Sequence, residues 1–369
     1  MKRKIIISGG GSGGHVFPAI AVAITLKDLL DDVDILFIGA KGRMEMGRVP
    51  EAGFSVKGLN IQGFKRDFSF NSIYENIKLP FRFYTSIKQA KEIIVKFNPD
   101  VVVGFGGYAS APAVKVAASL KIPTLIQEQN SYPGKTNKLL SKKANIICTA
   151  YDGMEKYFPV KKIVKTGNPI RKGILNPVDK NLACEHFGLD PNKKTLIVIG
   201  GSLGSRTINE SIGSFIAELS KKKIQVIWQT GEYYYKDVLK LHKDIAGVKI
   251  MPFVERMDYL YSVADVVVSR AGALAISELC AVAKPCILIP SPNVAEDHQT
   301  KNAQALLNLD ACVLIKDDET KTLLKNEILT LINDEARCTD MKNNLKKLAQ
   351  PDAANQIAKE IVNLIRENK

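Results

Sequence analysis

Two glycine-rich turns in this chain have the composition of phosphate-binding loops. Residues 9–15 read GGGSGGH and residues 200–205 read GGSLGS; each turn follows an apolar run and precedes a helical pattern, over residues 17–30 and 206–220. Backbone N–H groups at the start of a helix have no intrahelical partner and carry about half a positive charge. The two turns therefore predict two similar half-sites for phosphate-bearing ligands.

A second candidate site lies where the sequence predicts a strand, a tight turn and a helix, over residues 265–278. Glu278 is the only charged residue between positions 271 and 283, so we expect this helix to be buried. A buried carboxylate needs hydrogen-bond donors. The two adjacent hydroxyls of a ribose would supply them, and a salt bridge within the protein is the alternative.

The elements that position these residues alternate between strand and helix in both halves of the chain. Short apolar runs without polar alternation predict parallel strands that are covered on both faces. These runs lie at residues 4–8, 35–38, 101–104, 124–126, 146–149 and 163–166, and again at 196–199, 226–229, 248–251, 266–269, 287–289 and 313–315. The expected fold is α/β, with two doubly wound Rossmann-like domains that face a cleft and bind ligands at the carboxyl ends of their strands.

A polar stretch with two prolines, Pro177 and Pro191, predicts a linker between the domains. We expect a first domain over residues 1–167, with the C-terminal helix 352–369 as a candidate addition to it, a linker over 168–194, and a second domain over 195–351.

Composition and motifs exclude several classes of protein. The chain is 46% hydrophobic and 24% charged, as globular proteins are, and its six cysteines form no CxxC spacing. The pattern Gly9-x-Gly11-x-x-Gly14 lacks an acidic residue at the end of the next strand, which argues against NAD, and neither turn has the lysine of a Walker A loop. The apolar start stops after Ile7, so the sequence predicts neither a signal peptide nor a membrane span, and we expect a cytoplasmic protein.

Positive charge is concentrated in the first half of the chain. Residues 1–165 hold 25 Lys and Arg against 13 Asp and Glu, whereas the remaining residues hold 27 against 25. Since no RNA-binding, zinc-finger or helix-turn-helix signature accompanies the excess, we expect an anionic membrane surface as partner and no nucleic acid. Aromatic and basic residues are interleaved over positions 64–83, and the candidates for membrane contact are Lys78, Phe81, Arg82 and Phe83. A core helix whose lysines face water is the alternative.

Seven blocks of sequence carry a resemblance to a known family. They lie, in order, at residues 10–18, 104–112, 128–130, 167–171, 200–204, 270–278 and 297–303. Together they resemble the GT-B glycosyltransferases, and in particular the family of N-acetylglucosaminyltransferases that complete the lipid-linked disaccharide precursor of peptidoglycan. The resemblance covers nearly the whole chain.

The resemblance implies UDP-N-acetylglucosamine as the donor, held chiefly by the second domain. The implied contacts are Glu278 to the ribose hydroxyls, Ala273, Leu274 and the backbone near Val254 around the uracil and diphosphate, Ser202 and Arg171 to the diphosphate, and Gln299 and Asn130 to the sugar. An arginine and a hydroxyl beside a helix start would stabilise the negative charge that grows on departing UDP.

The resemblance also implies undecaprenyl-diphosphate-linked N-acetylmuramoyl pentapeptide as the acceptor. The residues implied in holding its diphosphate are Ser12, Gly13, Gly14, Gly106, Gly107 and Tyr108. Because the lipid tail stays in the bilayer, the enzyme is expected to be peripheral at the cytoplasmic face of the cell membrane. No cofactor is implied and no ligand cluster demands a metal, although a divalent cation could assist the departing diphosphate.

The implied reaction inverts the anomeric carbon, and His15 is the candidate general base for the acceptor hydroxyl. The alternative for His15 is a hydrogen bond to the glycine-rich loop or to the acceptor diphosphate. Three other functions stay open from the residues: a glycolipid-forming glycosyltransferase, a nonhydrolysing UDP-sugar epimerase, and a noncatalytic nucleotide-binding membrane protein.

Overall fold

The chain folds into two compact units. The structure, a computed structural model, describes residues 2–64, 69–201 and 203–368. Ser202 of the second glycine-rich turn and residues 65–68 of the aromatic and basic segment lie outside the described residues. One unit consists of Met1–Ile170 with Pro351–Lys369, and the other of Arg171–Gln350.

The strands and helices alternate along most of the chain. The strands are β1 (Arg3–Ser8), β2 (Val33–Ala40), β3 (Ser55–Leu59), β4 (Val101–Gly104), β5 (Thr124–Glu128), β6 (Ile146–Thr149), β7 (Ile163–Lys165), β8 (Thr195–Ile199), β9 (Gln225–Gln229), β10 (Val248–Met251), β11 (Val266–Ser269), β12 (Cys286–Leu288) and β13 (Val313–Leu314). The α-helices are α1 (Gly13–Leu29), α2 (Glu45–Glu51), α3 (Phe70–Ile77), α4 (Leu79–Phe97), α5 (Gly107–Ser119), α6 (Lys135–Ser141), α7 (Lys180–Phe187), α8 (Arg206–Lys221), α9 (Glu232–His242), α10 (Met257–Val263), α11 (Ala273–Val282), α12 (His298–Leu307), α13 (Thr320–Asn333), α14 (Glu335–Leu348) and α15 (Ala353–Glu367).

The first unit is built on one parallel sheet with the strand order β3-β2-β1-β4-β5-β6-β7. Helices α1, α2 and α15 pack apolar side chains on one face of it, and α4, α5 and α6 pack on the other. Such coverage explains why the central strands are apolar throughout. The C-terminal helix α15 thereby completes the core of the unit that contains the N-terminus, through Ile357 and Ile361.

The second unit repeats the arrangement with the order β10-β9-β8-β11-β12-β13. Its core surrounds the fully buried Trp228, and residues 171–194, expected to form a linker, contribute Cys184 and Phe187 to that core. In both sheets the order in which strands are added reverses next to the first strand, β1 or β8. This is the doubly wound topology, in which ligands bind at the carboxyl ends of the strands. The predicted fold class of two doubly wound α/β domains is confirmed.

Two details differ from the sequence prediction. Strand β3 was not expected, because its half-exposed sequence SVKGL at the sheet edge has no apolar run. Helix α1 begins at Gly13, so the predicted start at residue 17 is wrong. The Ser12 carbonyl accepts from the N–H groups of His15 (3.1 Å) and Val16 (3.2 Å), which draws the glycines into the first turn. His15 consequently lies at the start of the helix, where a ligand would meet it.

In the part of the chain that the structure describes, no helix is both long enough and apolar enough to cross a bilayer.

Candidate active site

The first glycine-rich turn, between β1 and α1, is held by a buried carboxylate. Glu45 is only 1% exposed and accepts hydrogen bonds from the N–H groups of Gly11 (3.1 Å) and Ala40 (2.9 Å). A Cβ atom at Gly10 or Gly39 would collide with the Glu45 side chain. The glycines therefore make room for this brace, which sequence reasoning missed because no local pattern distinguishes Glu45 from a surface glutamate.

His15 lies against the loop that joins β4 to α5. A Cβ at Gly106 would lie 3.1 Å from His15 Cε1, and one at Gly107 would lie 3.1 Å from His15 Cδ2. Both glycines also have positive φ angles, 85° and 72°, which disfavour any larger residue. His15 Nδ1 lies 3.2 Å from Gln129 Oε1. The structure thus brings His15, Gly106 and Gly107 together.

Tyr108 and the start of α1 complete this half of the site. The Tyr108 ring packs over Gly11 and Gly63, at which a Cβ would lie 2.9 Å from it, and burial raises the pKa of its phenol. Ser12 occupies the N-cap position of α1, and its hydroxyl makes no capping hydrogen bond. Ser12 and Gly14 are exposed and Gly13 is half-buried, so these three of the six residues assigned to the acceptor diphosphate are accessible.

A buried amide and carboxylate network follows β5. The Glu128 carboxylate accepts from Asn130 N (3.0 Å) and Nδ2 (3.2 Å), from Gly134 N (3.1 Å) and from Asn137 Nδ2 (2.8 Å). Burial raises the pKa of this carboxyl group despite those donors. The network fixes the position of Asn130, the residue implied in sugar binding. Glu128, which lies in the same sequence block and had no predicted role, is therefore a structural residue.

A groove of about 570 Å³ opens beside Tyr108, lined largely by apolar side chains of α4, α5 and α6. Phe83 is half-buried in its wall, with Lys115 Nζ 5.4 Å from the ring centroid. Phe81, by contrast, is 71% exposed. The cations Lys78 and Arg82 both pair with Glu75, at 3.8 and 2.7 Å. The four residues assigned to membrane contact therefore have different surroundings.

The second glycine-rich turn, between β8 and α8, is held by a cation. Arg270 Nη2 donates to the hydroxyl of Ser205 (2.6 Å), which caps α8 by accepting from Ile208 N (3.3 Å). Arg270 Nη1 donates to the carbonyls of Ile289 and Pro290 and pairs with Asp317. This arginine ties the turn to the ends of β11 and β12.

Glu278 lies on α11 and is 3% exposed. Arg171 donates to its Oε1 through Nε (3.3 Å) and Nη2 (3.1 Å), and Tyr261 donates its hydroxyl to Oε2 (3.0 Å). Burial raises the pKa of Glu278, against the lowering effect of Arg171, and burial raises that of Tyr261 well above 10. The salt bridge expected as the alternative is present. An ionised carboxylate has about four acceptor positions, so ribose hydroxyls could still bind beside these partners.

Four of the remaining donor residues follow the carboxyl ends of β10, β11 and β12 in the second sheet, namely Val254, Ala273, Leu274 and Gln299. Val254 is buried, and its N–H donates to Gln229 Oε1 (3.0 Å). Ala273 and Leu274 form the first turn of α11, and Gln299 Oε1 accepts from Ser291 N (2.8 Å). Ser202 lies outside the described residues, and Asn130 belongs to the first unit.

Among residues 2–64, 69–201 and 203–368, no three His, Cys, Asp or Glu side chains are grouped so as to hold a metal ion.

Comparisons with known proteins agree with the sequence blocks and the topology. Residues 5–149 match the glycosyltransferase family 28 N-terminal domain, and residues 195–357 match the family 28 C-terminal domain. A UDP-N-acetylglucosamine--N-acetylmuramyl-(pentapeptide) pyrophosphoryl-undecaprenol N-acetylglucosamine transferase from Parabacteroides distasonis is 51% identical over 99% of both chains. This chain belongs to glycosyltransferase family 28. The predicted family is confirmed, and a family 28 enzyme of the same name from Flavobacterium psychrophilum is 48% identical, again over 99% of both chains.

Solved structures share the fold of this chain. The crystal structure of Acinetobacter baumannii MurG matches with a TM-score of 0.76 and 28% identity, covering 98% of this chain and 100% of that one. A UDP-GlcNAc 2-epimerase from Neisseria meningitidis has a TM-score of 0.68 at 17% identity over 98% and 100% of the chains, a likeness of fold alone.

Proposed function

We propose that this chain transfers N-acetylglucosamine from UDP-N-acetylglucosamine to undecaprenyl-diphospho-N-acetylmuramoyl pentapeptide, converting lipid I to lipid II in peptidoglycan synthesis. The observation that carries the proposal is the 51% identity over 99% of both chains with an enzyme named for this transfer. The two glycine-rich turns, one beside a histidine and one beside an arginine, supply chemistry that fits it.

The reaction is a single inverting displacement. The acceptor hydroxyl oxygen bonds to the anomeric carbon while the bond from that carbon to the UDP oxygen breaks, and the bonding pair leaves with UDP. His15 accepts the hydroxyl proton, as a general base does, and later releases it to water. The product has the β configuration because attack occurs opposite the departing UDP.

The donor is assigned to the second unit. Glu278 accepts hydrogen bonds from the ribose hydroxyls, and its ion pair with Arg171 holds both side chains in place. Arg171 and Ser202 stabilise the charge on the diphosphate, aided by the start of α8. The pocket around the uracil comes from Val254, Ala273 and Leu274, and the sugar is held by Gln299 and Asn130.

The acceptor is assigned to the first unit. Its diphosphate lies over the exposed start of α1, at Ser12, Gly13 and Gly14, and beside the loop of Gly106, Gly107 and Tyr108. This placement puts the muramoyl hydroxyl near His15.

The same unit docks on the cytoplasmic face of an anionic membrane. The first 165 residues carry the charge excess of the chain, and each Lys or Arg near such a surface contributes about 1 kcal/mol. Exposed apolar side chains, among them Ile77 (72%) and Phe81 (71%), lie near the apolar groove. Since Lys78 and Arg82 already pair with Glu75, apolar insertion here matters more than these two charges.

The transfer is tested by incubating the purified chain with radiolabelled UDP-N-acetylglucosamine and lipid-linked muramoyl pentapeptide. We expect label in the lipid fraction, and none when diacylglycerol replaces the muramoyl lipid. Transfer only to diacylglycerol would identify a glycolipid synthase. Conversion of the donor to its 2-epimer without any acceptor would identify an epimerase.

Membrane docking is tested separately by cosedimentation with anionic vesicles. We expect Ile77→Ser combined with Phe81→Ser to reduce binding strongly. The control is Leu241→Ser, which changes a leucine of the second unit that is 74% exposed. Equal binding of both variants would place the docking surface elsewhere.

A further inference from the structure

The side-chain amide of Gln129 has only one orientation that its surroundings permit. Gln129 is 2% exposed, and its Nε2 donates to the carbonyl oxygens of Phe105 (2.8 Å) and Gln127 (3.4 Å) and contacts Gln127 Oε1. All three neighbours are oxygen atoms. If the amide were flipped, its oxygen would face three other acceptors and its buried NH2 group would lose all three of these hydrogen-bond acceptors. The nitrogen must therefore face Phe105 and Gln127.

The neighbouring amides are fixed in the same way. Gln127 Nε2 donates to Asn168 Oδ1 (3.0 Å), and Asn168 Nδ2 donates back to the Gln129 carbonyl (3.0 Å). Gln127 and Asn168 are both buried. The three amides therefore support one another's orientation, and the Oε1 atom of Gln129 is directed at His15.

An amide oxygen can only accept a hydrogen bond, so the 3.2 Å contact requires a proton on Nδ1 of His15. In a neutral imidazole that carries this proton, Nε2 holds the lone pair. The ring packs closely against Gly106 and Gly107, which opposes a rotation that would exchange its two nitrogens.

We infer that Gln129 is a positioning residue that holds neutral His15 as the Nδ1–H tautomer and thereby makes Nε2 the atom that accepts the proton of the acceptor hydroxyl. The catalytic part of this inference rests on the proposed function, whereas the tautomer does not. The proton moves from the acceptor oxygen to Nε2 as the new glycosidic bond forms, while Nδ1 keeps its own proton and its bond to Gln129.

The test is nitrogen NMR of ¹⁵N-histidine-labelled protein, at a pH where His15 is neutral. The chain has four histidines, so the absence of one set of signals in His15→Asn assigns those of His15. We expect protonated Nδ1 and unprotonated Nε2 in the wild type. Gln129→Met should shift the population toward Nε2–H. The matched control Gln127→Met removes a buried glutamine of the same network that does not touch His15, and it should keep the Nδ1–H form because Phe105 still holds Gln129.

Kinetics separate positioning from a merely structural role. Removing the partner that fixes the tautomer of a catalytic histidine in the serine proteases lowers kcat about 10⁴-fold. A neutral amide stabilises the imidazolium less than the carboxylate does there, so Gln129→Met should lower kcat by roughly 10- to 100-fold, with the KM for UDP-N-acetylglucosamine unchanged. An Nε2–H tautomer in the wild type, or an unchanged tautomer in a folded Gln129→Met variant, would overturn the inference. If the tautomer is as expected but His15→Ala turns over normally, the base assignment fails instead and the catalytic role of Gln129 fails with it.

Discussion

The two units hold similar glycine-rich turns with side chains of opposite charge. Glu45 holds the first turn by accepting a hydrogen bond from the Gly11 N–H. Arg270 holds the second turn by donating a hydrogen bond to the hydroxyl of Ser205, the N-cap residue of α8. Because Arg270 also pairs with Asp317, the second turn gains oriented hydrogen-bond donors more than net charge, and such donors can stabilise the negative charge of a leaving group. The first turn has a carboxylate and a neighbouring histidine, which suits proton removal. We therefore propose that the two turns, which look equivalent in sequence, serve different steps of the transfer.

The largest effect in this comparison is expected from His15→Ala. Loss of a general base lowers kcat by about 10²- to 10⁴-fold, and the affinity for UDP-N-acetylglucosamine should change little because we propose that the second unit chiefly holds the donor. Steady-state kinetics and calorimetry with UDP measure the two quantities. The control is His186→Ala, an exposed histidine of α7. Near-normal turnover of His15→Ala at saturating substrate would remove the functional distinction between the turns.

Glu278→Gln should act on the donor alone. Hydrogen bonds to charged groups contribute about 1.5–3 kcal/mol, so the affinity for UDP should fall roughly 10- to 100-fold while the side chain keeps its size. Tyr261→Phe is the control, because it removes the bond to Oε2 but leaves the charge on Glu278. Calorimetry with UDP distinguishes a role of Glu278 in ribose binding from a purely structural one. Unchanged UDP affinity in the folded Glu278→Gln variant would mean that the carboxylate serves only as the partner of Arg171.

A crossed pair of variants tests the opposite braces directly. Arg270→Met should raise the KM for UDP-N-acetylglucosamine, and Glu45→Gln, whose amide cannot accept from both N–H groups, should raise the KM for the acceptor. Each change removes a charge-assisted bond, so we expect roughly tenfold effects. Initial rates with one substrate saturating give both constants. If both variants raise the same KM, the two turns do not divide the substrates.

A separate effect, on stability and not on activity, concerns the second unit, where a further cation, Lys284, donates to the Ala264 carbonyl (2.9 Å). Burial lowers the pKa of Lys284 to about 8 from its ordinary 10.5. Between these values the unfolded chain binds more protons than the folded one, so stability rises with pH there. Relative to Lys284→Met, the wild-type free energy of unfolding should increase between pH 8 and 10.5, by at most about 3 kcal/mol. Urea titrations measure the difference, and Lys236→Met, which changes an exposed lysine of α9, serves as control. Parallel pH profiles for wild type and Lys284→Met would contradict the assignment.

Much of the fold could be predicted because it depends on local sequence. The strands that end at the two glycine-rich turns are apolar runs, and the burial of Glu278 follows from the uncharged helix around it. Strand β3 could not be predicted, since an edge strand with SVKGL gains its structure from its neighbour β2 and not from its own pattern.

The partners of the site residues depend on contacts that the sequence does not show. Arg171 and Glu278 are 107 positions apart, and His15 and Gln129 are 114 apart. All four lie within the sequence blocks that carry the family resemblance, yet only the folded chain shows which of them touch. The role of Glu45 could not be predicted from the sequence. Its partners are backbone N–H groups, which every residue except proline has, so no particular residue type marks the contact. Likewise, alternating aromatic residues did not show that Phe81 is exposed while Phe83 lines the groove.

We propose that a base on the first unit activates the acceptor hydroxyl for a single inverting displacement on the donor. Proton NMR of the disaccharide formed from UDP-N-acetylglucosamine and a short-chain muramoyl pentapeptide lipid tests it most directly, through the coupling of the new anomeric proton. We expect a β linkage, with one UDP released for each disaccharide formed. An α linkage, which a single inverting displacement cannot give, or release of UDP without a disaccharide, would overturn the proposed mechanism.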